Sequence, residues 1–169
     1  MRRSACNQLE KAFAAAFATY FTGDPSFVKP GDSTPGSQAS LFVAAQSVQR
    51  LLYPQVAFMC IEATEVVARS NAYTAPMHLI VDTALSERPD DFPSVLALHQ
   101  DRVDKCLNLF DNLPVLQGLI NAPLSGSDPR QVQSFQLYGM GEIEAEMNTR
   151  ENNRLCFICK RLIPFQPVG

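Results

Sequence analysis

The chain has 169 residues, of which 46% are hydrophobic and 18% charged, and its formal net charge is −3. That length and apolar content suit one domain with a sizeable core. The near-balanced charge argues against bulk attraction to nucleic acid or to a membrane surface, and no run of about 18 apolar residues offers a membrane-spanning helix.

The first predicted element is a helix over Asn7 to Phe21, with Leu9, Phe13, Ala16, Phe17 and Tyr20 on one apolar face. Its alanines favour the helix, and Gly23-Asp24-Pro25 ends it. The run AFAAAFA superficially resembles the apolar part of a secretory signal. Asn7, Gln8, Glu10 and Lys11 before it, and the lack of a clean cleavage site after it, argue otherwise. Residues 23–40 are rich in Gly, Pro, Ser, Asp and Thr and predict a long irregular excursion. Residues 41–53 (LFVAAQSVQRLLY) fit a short helix or a strand; a helical turn or two is favoured.

Val56 to Glu62 opens with VAFMCI, apolar on both sides, as in a central strand. Tyr73, Ala75, Met77, Leu79 and Val81 then alternate with Thr74, Pro76, His78, Ile80 and Asp82. That period predicts a strand with one wet face. Pro76 cannot donate to a ladder, which places it at an edge or a bulge. After a loop, Asp91 and Pro93 start a helix to Phe110, with Leu96, His99, Val103, Cys106 and Phe110 on one side. Asn112-Leu113-Pro114 breaks it, and Pro114 to Asn121 forms a short second piece. Residues 122–130 are turn-rich. A final hairpin runs from Val132 to Met147, turns over Asn148 to Asn153, and returns over Leu155 to Ile163, where Pro164 and Pro167 stop it. The result is an α+β domain in αββαββ order: a four-stranded, mainly antiparallel sheet with helices packed on one face.

No constellation for catalysis emerges. Cys156-Phe157-Ile158-Cys159 is a lone CxxC in a strand, where positions three apart face opposite ways, so neither a zinc site nor a redox motif is expected. The five cysteines, an odd number scattered through apolar stretches, read as buried thiols of a reducing compartment. His78 and His99 have no partner at ligand spacing; His78 belongs to the wet face and His99 to a helix boundary. Glu142, Glu144 and Glu146 predict an acidic stripe on one strand face, solvated rather than catalytic. Gly139-Met140-Gly141 suits a bend or bulge and not a phosphate cradle. The arginines are dispersed and form no nucleic-acid stripe. Chemistry is absent from this reading; assembly remains.

The segments YPQVAFMCIEATE, AYTAPMHLIVDTA, DDFPSVLALHQDRVDKCLNLFDNLPVLQGLI and QSFQLYGMGEIEAEMNTRENNRLCFICKRLIPF, with the leading helix, resemble tail terminator (tail completion) proteins of tailed bacteriophages. The resemblance covers about residues 50–165 and rests on the order and pattern of elements. It includes a strand followed by a glutamate, here Glu62 or Glu65. Residues 23–53 depart from the family by being longer and richer in proline. The resemblance implies a virion protein of the tail or neck, made in a bacterial cytoplasm. Such a protein forms a homo-hexameric ring that caps the tail tube and meets the head–tail connector. It implies no enzyme activity, no cofactor and no metal. DNA passes through such a ring without being read by sequence, and no membrane is involved. Glu65, Arg69, Asn71, Glu142, Glu144, Arg150 and Asn152, in polar connections and on the stripe, are the expected interface residues. The competing readings are a head–tail stopper, a tail-tube subunit, a non-viral adaptor working through one sheet edge, and a small-molecule-binding domain.

Overall fold

The computed structural model describes residues 2–27, 41–45, 55–66, 71–85, 88–121, 134–138, 143–151 and 154–168. Three helices are present in these residues: α1 (Arg2–Tyr20), α2 (Phe92–Phe110) and α3 (Leu113–Asn121). The seven strands among them are β1 (Phe42–Ala44), β2 (Gln55–Cys60), β3 (Thr64–Glu65), β4 (Tyr73–Ala84), β5 (Ser134–Leu137), β6 (Ile143–Glu151) and β7 (Arg154–Val168). They form one mixed sheet in the order β1-β2-β4-β7-β5, with β3 also pairing β4 and β6 also pairing β7. Mixed α+β architecture is therefore present, but the sheet is wider than four antiparallel strands.

Beyond the expected four, β3 forms at the start of the 65–71 connection, the strand expected over Val132 to Met147 is divided into β5 and β6, and β1 stands where a helical turn is favoured by the sequence. Phe42 and Ala44 are buried, and β1 runs parallel to β2 with Phe42 opposite Val56. In so short an apolar run the neighbouring strand, not periodicity, decides the conformation.

β4 and β7 pair along twelve residues, from Tyr73 opposite Phe165 to Ala84 opposite Arg154. Tyr73, Ala75, Met77, Leu79 and Val81 are buried, as the alternation requires. On β7, Phe157, Cys159, Ile163 and Phe165 join them in one core with residues of all three helices. The helices thus cover a single face of the sheet. α1 is buried on more than one side: Ala12 and Ala16 are almost inaccessible, as are Leu9, Phe13 and Phe17. Small side chains let the helix lie close to its neighbours. Tyr20, expected on the apolar face, is 51% exposed and packs edge-on against Phe21, with centroids 5.0 Å apart. Gly23, at φ 81°, ends the helix in the left-handed region that favours glycine.

The prolines do not end β7, which continues to Val168. Tyr138 donates its backbone N–H to Pro164 O, so the polar edge of Pro164 faces the β5 side. There the register shifts: Leu137 is opposite Phe165, but Ile143 is opposite Arg161. The missing proline N–H falls at this interruption and costs no ladder bond. Pro167 faces the other way, beyond the start of β4. By the same parity Pro76 turns its missing donor away from β7, toward the interval between β2 and β3. It is thus an interior residue of a central strand, seated where its neighbour is discontinuous.

α2 ends where Arg161 reaches it from β7. Arg161 Nη1 donates to Phe110 O (2.8 Å), and Nη2 lies 2.8 Å from Asp111 Oδ1. A buried cation there complements the negative helix end. Asn112 then starts α3, with Oδ1 accepting from the Val115 N–H, and Pro114 sits in the first turn.

Candidate functional site

The expected interface residues fall at two separate places. Glu65 and Asn71 belong to the turn between β3 and β4. Glu65 Oε1 accepts from the Asn71 N–H at 3.2 Å, and Asn71 has φ 59°, so the pair closes the turn from within. Glu62, the alternative glutamate, is exposed beside the core. Arg150 lies at the other end of β4, near the β6–β7 hairpin turn, on the order of 35 Å away at strand rise. Its guanidinium sits over the Phe92 ring, 4.6 Å from the centroid, rather than projecting freely. Arg69, Glu142 and Asn152 lie outside the described residues. Of the expected interface residues whose side chains are described, Glu65 and Asn71 lie together and Arg150 lies apart from them.

The expected acidic stripe includes Glu142, which lies outside the described residues. A bulge separates Ile143, opposite Arg161, from Ala145, opposite Lys160, so the β6 backbone departs here from a strict two-residue period. Asn148, assigned to the turn, is instead a β6 residue opposite Phe157.

The cysteine pair in CFIC does split across the sheet. Cys159 enters the core, while Cys156 lies on the opposite face beside Asp82. Burial first, and then the Asp82 carboxylate, push the Cys156 thiol up to about 12. It is a poor nucleophile. Burial likewise holds Cys106 far above the ordinary thiol range. All five cysteines are buried thiols outside any disulfide. Cys6 and Cys60 touch, Sγ to Sγ 2.8 Å, where α1 crosses the end of β2. Beside them Glu10 is fully buried and accepts the Cys60 N–H at 2.9 Å. Glu10 was legible only as a polar residue before an alanine-rich run; its role needs β2 next to it.

The most developed polar cluster is under α2. Asp82, expected on the wet face, is 2% exposed because Arg154 covers it at 3.1 Å. Thr83 follows on the helix-covered face and meets His99, with Nδ1 2.9 Å from Thr83 Oγ1. Arg102 Nη1 donates to the same oxygen at 3.5 Å. His99 is 4% exposed, and among the described residues Nε2 meets no partner at ordinary hydrogen-bond distance, while the Asn148 side chain lies near enough to raise the pKa of the ring. It lines a cleft of about 310 Å³ with Gln100, Val103, Asp104 and Asn148. His78, on the other face, also has a buried and unpartnered Nδ1.

Burial lowers the His99 pKa, Arg102 adds to this, and Asn148 and Asp82 oppose it. A histidine held neutral stabilises the fold above its unfolded pKa near 6.5, and the stability is lost as pH falls below that value. We expect the unfolding free energy to decline below about pH 6.5, by at most ~1.4 kcal/mol per pH unit from His99. His99→Gln should flatten that part of the profile, read by urea denaturation across pH; an unchanged profile would show that His99 does not titrate with unfolding.

A second cluster ties residues 24–27 to α2. Lys105 Nζ lies 3.0 Å from Asp24 and 3.2 Å from Asp101. Ser26 Oγ donates to Asp101, and Arg102 Nε donates to Ser26 O. These charges satisfy one another and hold the chain after α1 against α2. Among the described residues no group of three or more His, Cys, Asp or Glu side chains converges as a metal site. No helix among them is long and apolar enough to cross a membrane.

Amide side chains close one edge of the sheet. Asn121 Oδ1 accepts the Phe135 N–H (2.7 Å), and its Nδ2 donates to Phe135 O (2.7 Å). Gln117 Nε2 also donates to Phe135 O (2.8 Å), and its Oε1 accepts the Leu137 N–H (2.8 Å). α3 thus acts as a substitute strand for β5. Among the described residues β6 pairs only with β7.

These features define a mixed α+β domain whose polar groups close turns, cap helices and line sheet edges. Comparison with family models and with curated protein sequences finds no match.

Proposed function

We propose that the chain is a structural subunit of a tailed-bacteriophage virion, of the tail terminator type. In this reading identical subunits close into a hexameric ring at the head-proximal end of the tail. The ring caps the tube protein and meets the connector, with no reaction and no cofactor. The observation that carries the reading is the margin beyond β7 that β5 and β6 share. Along it β5 is sealed by the α3 amides, whereas among the described residues β6 pairs only with β7. A margin sealed over one stretch and left to backbone pairing over another suits a strand contact that passes from subunit to subunit until it closes. The turns at opposite ends of β4 suit separate contacts above and below such a ring.

Negative-stain microscopy over a concentration series, with native mass on the same samples, tests this. Bounded rings of six 18.6 kDa chains are expected, alone or after mixing with tube protein. Long tubes from the chain alone would instead indicate a tube subunit. A strict monomer in both conditions would favour an adaptor. Ring formation and tail joining unaffected by substitution of both Arg69 and Arg150 would remove those two from the interface.

A further inference from the structure

Two thiols meet where the first turns of α1 cross the end of β2. Cys6 and Glu10 stand four residues apart, on one face of α1. Both reach Cys60. Glu10 Oε2 accepts the Cys60 backbone N–H at 2.9 Å, and the Cys60 thiol donates to Cys6 Sγ at 2.8 Å. The carboxylate thus fixes the backbone that carries one sulfur, and the same helix carries the other. A sulfur–sulfur bond is about 2.05 Å long, so joining the pair moves the two atoms together by less than about 1 Å. Cys6 is 1% exposed and Cys60 0%, yet Ile61, the next residue, is 64% exposed, so the surface is close. The hydrogen bond from Cys60 lowers the Cys6 pKa, against burial and the Glu10 and Glu62 carboxylates, and raises that of Cys60. Burial instead dominates at Cys106 and Cys156 and holds those thiols up. Cys6 is the readier nucleophile of the pair.

We propose that Cys6 and Cys60 form an oxidisable dithiol site, at which a small peroxide joins α1 to β2 through a disulfide. Cys6 lies in the second turn of α1, close to a helix end, where fraying admits a small oxidant. The Cys6 thiolate attacks one peroxide oxygen, the O–O bond breaks, and the hydroxide released takes up a proton to give water. Cys6 is then a sulfenic acid. The Cys60 sulfur attacks Cys6 Sγ, the S–O bond breaks, and the leaving hydroxide takes the Cys60 proton to give a second water. Two thiols are oxidised to one disulfide, and one peroxide is reduced to two waters. A dithiol reductant reverses the result by exchange. The bond joins residues 54 positions apart, across β1 and the Pro- and Gly-rich residues 23–40. Closing so long a loop removes much conformational freedom from the unfolded chain. In a reducing compartment packing and hydrogen bonds hold α1; in an oxidising one it is also pinned covalently. α1 supplies Leu9, Phe13 and Phe17 to the core, so the pin secures one wall of that core. The site does not rest on the ring reading, since a monomer carries it equally.

In the test, the full chain is reduced, exposed to hydrogen peroxide under native conditions, and mapped by mass spectrometry without further reduction. The expected product lacks two hydrogens, links the Cys6 and Cys60 peptides, and retains three titratable thiols of the original five. Its melting temperature should rise by on the order of 10 °C, and fall back when dithiothreitol is added. Cys6→Ala and Cys60→Ala should each abolish both the linkage and the shift. Reversal by reductant on the unaltered chain needs no variant, and it decides the matter where a variant fails to fold. A linkage confined to other cysteines, such as Cys106 with Cys159, would overturn the site. So would five thiols remaining after excess peroxide, an oxygenated Cys6 beside an unreacted Cys60, or a Cys6–Cys60 disulfide that leaves the melting temperature unchanged.

Discussion

Phe58→Ala should be the most damaging single substitution in the sheet, lowering stability by ~3–5 kcal/mol. Phe58 is fully buried on β2, and Phe17 and Phe13 of α1 pack on it with ring centroids 4.7 and 5.8 Å away. Phe13 in turn meets Phe110 of α2 at 6.1 Å, so the ring lies where α1, the sheet and α2 converge. Removing it leaves a cavity that none of three rigid elements can fill by itself. In a chain of this length the melting temperature should drop by on the order of 10 °C. Thermal unfolding by circular dichroism reads the effect. A fall of only a degree or two would mean that α1 recloses on the sheet, and that the aromatic cluster is less constraining than its geometry indicates. Phe58→Leu should recover much of the loss, because it restores most of the buried volume.

Replacing Gln117 and Asn121 together by leucine should destabilise the fold by on the order of 3 kcal/mol and produce aggregation. Three backbone groups of β5 lose their partners, at about 1–3 kcal/mol each where water cannot replace them. Leucine preserves the helical preference of α3, so the effect isolates the edge bonds. The exposed β5 edge becomes a template for another strand, and size-exclusion chromatography should show larger species. Asn121→Asp is the finer test. It retains an acceptor for the Phe135 N–H but sets an oxygen against Phe135 O, which had received the amide proton. A monomeric double variant of unchanged melting temperature would show that α3 merely lies beside β5.

These two sites differ in how far they could be read in advance. Phe13 and Phe17 recur at helical spacing, and Phe58 sits in a continuous apolar strand, so their burial followed from pattern alone. Gln117 and Asn121 carry only a weak signal, two carboxamides four apart on a short apolar helix. Their meaning depends on β5 lying alongside, which no local pattern states. His99 was placed at a helix boundary because a histidine on a seam has no preferred partner in the sequence; Thr83 and Arg102 supply it in space. The bulge in β6 is a property of its pairing with β7 and is invisible in an alternating run of glutamates. Pro164 and Pro167 read as strand ends because a lost N–H is normally lost to a ladder. Here the discontinuous neighbour of Pro164, and the end of β4 before Pro167, left no ladder bond to lose.

Local periodicity and punctuation determined the helices, the long β4 and β7 strands, and the face of each that enters the core. Those properties arise from the spacing of apolar side chains and from Gly, Pro and Asn at element ends, all within a few residues. Only the tertiary structure decided the added parallel strand, the register shift, the sealing of β5 and the burial of His99 against Thr83. Each of these depends on hydrogen-bonding groups from segments distant in the chain, whose partners are chosen by packing rather than by their sequence neighbours.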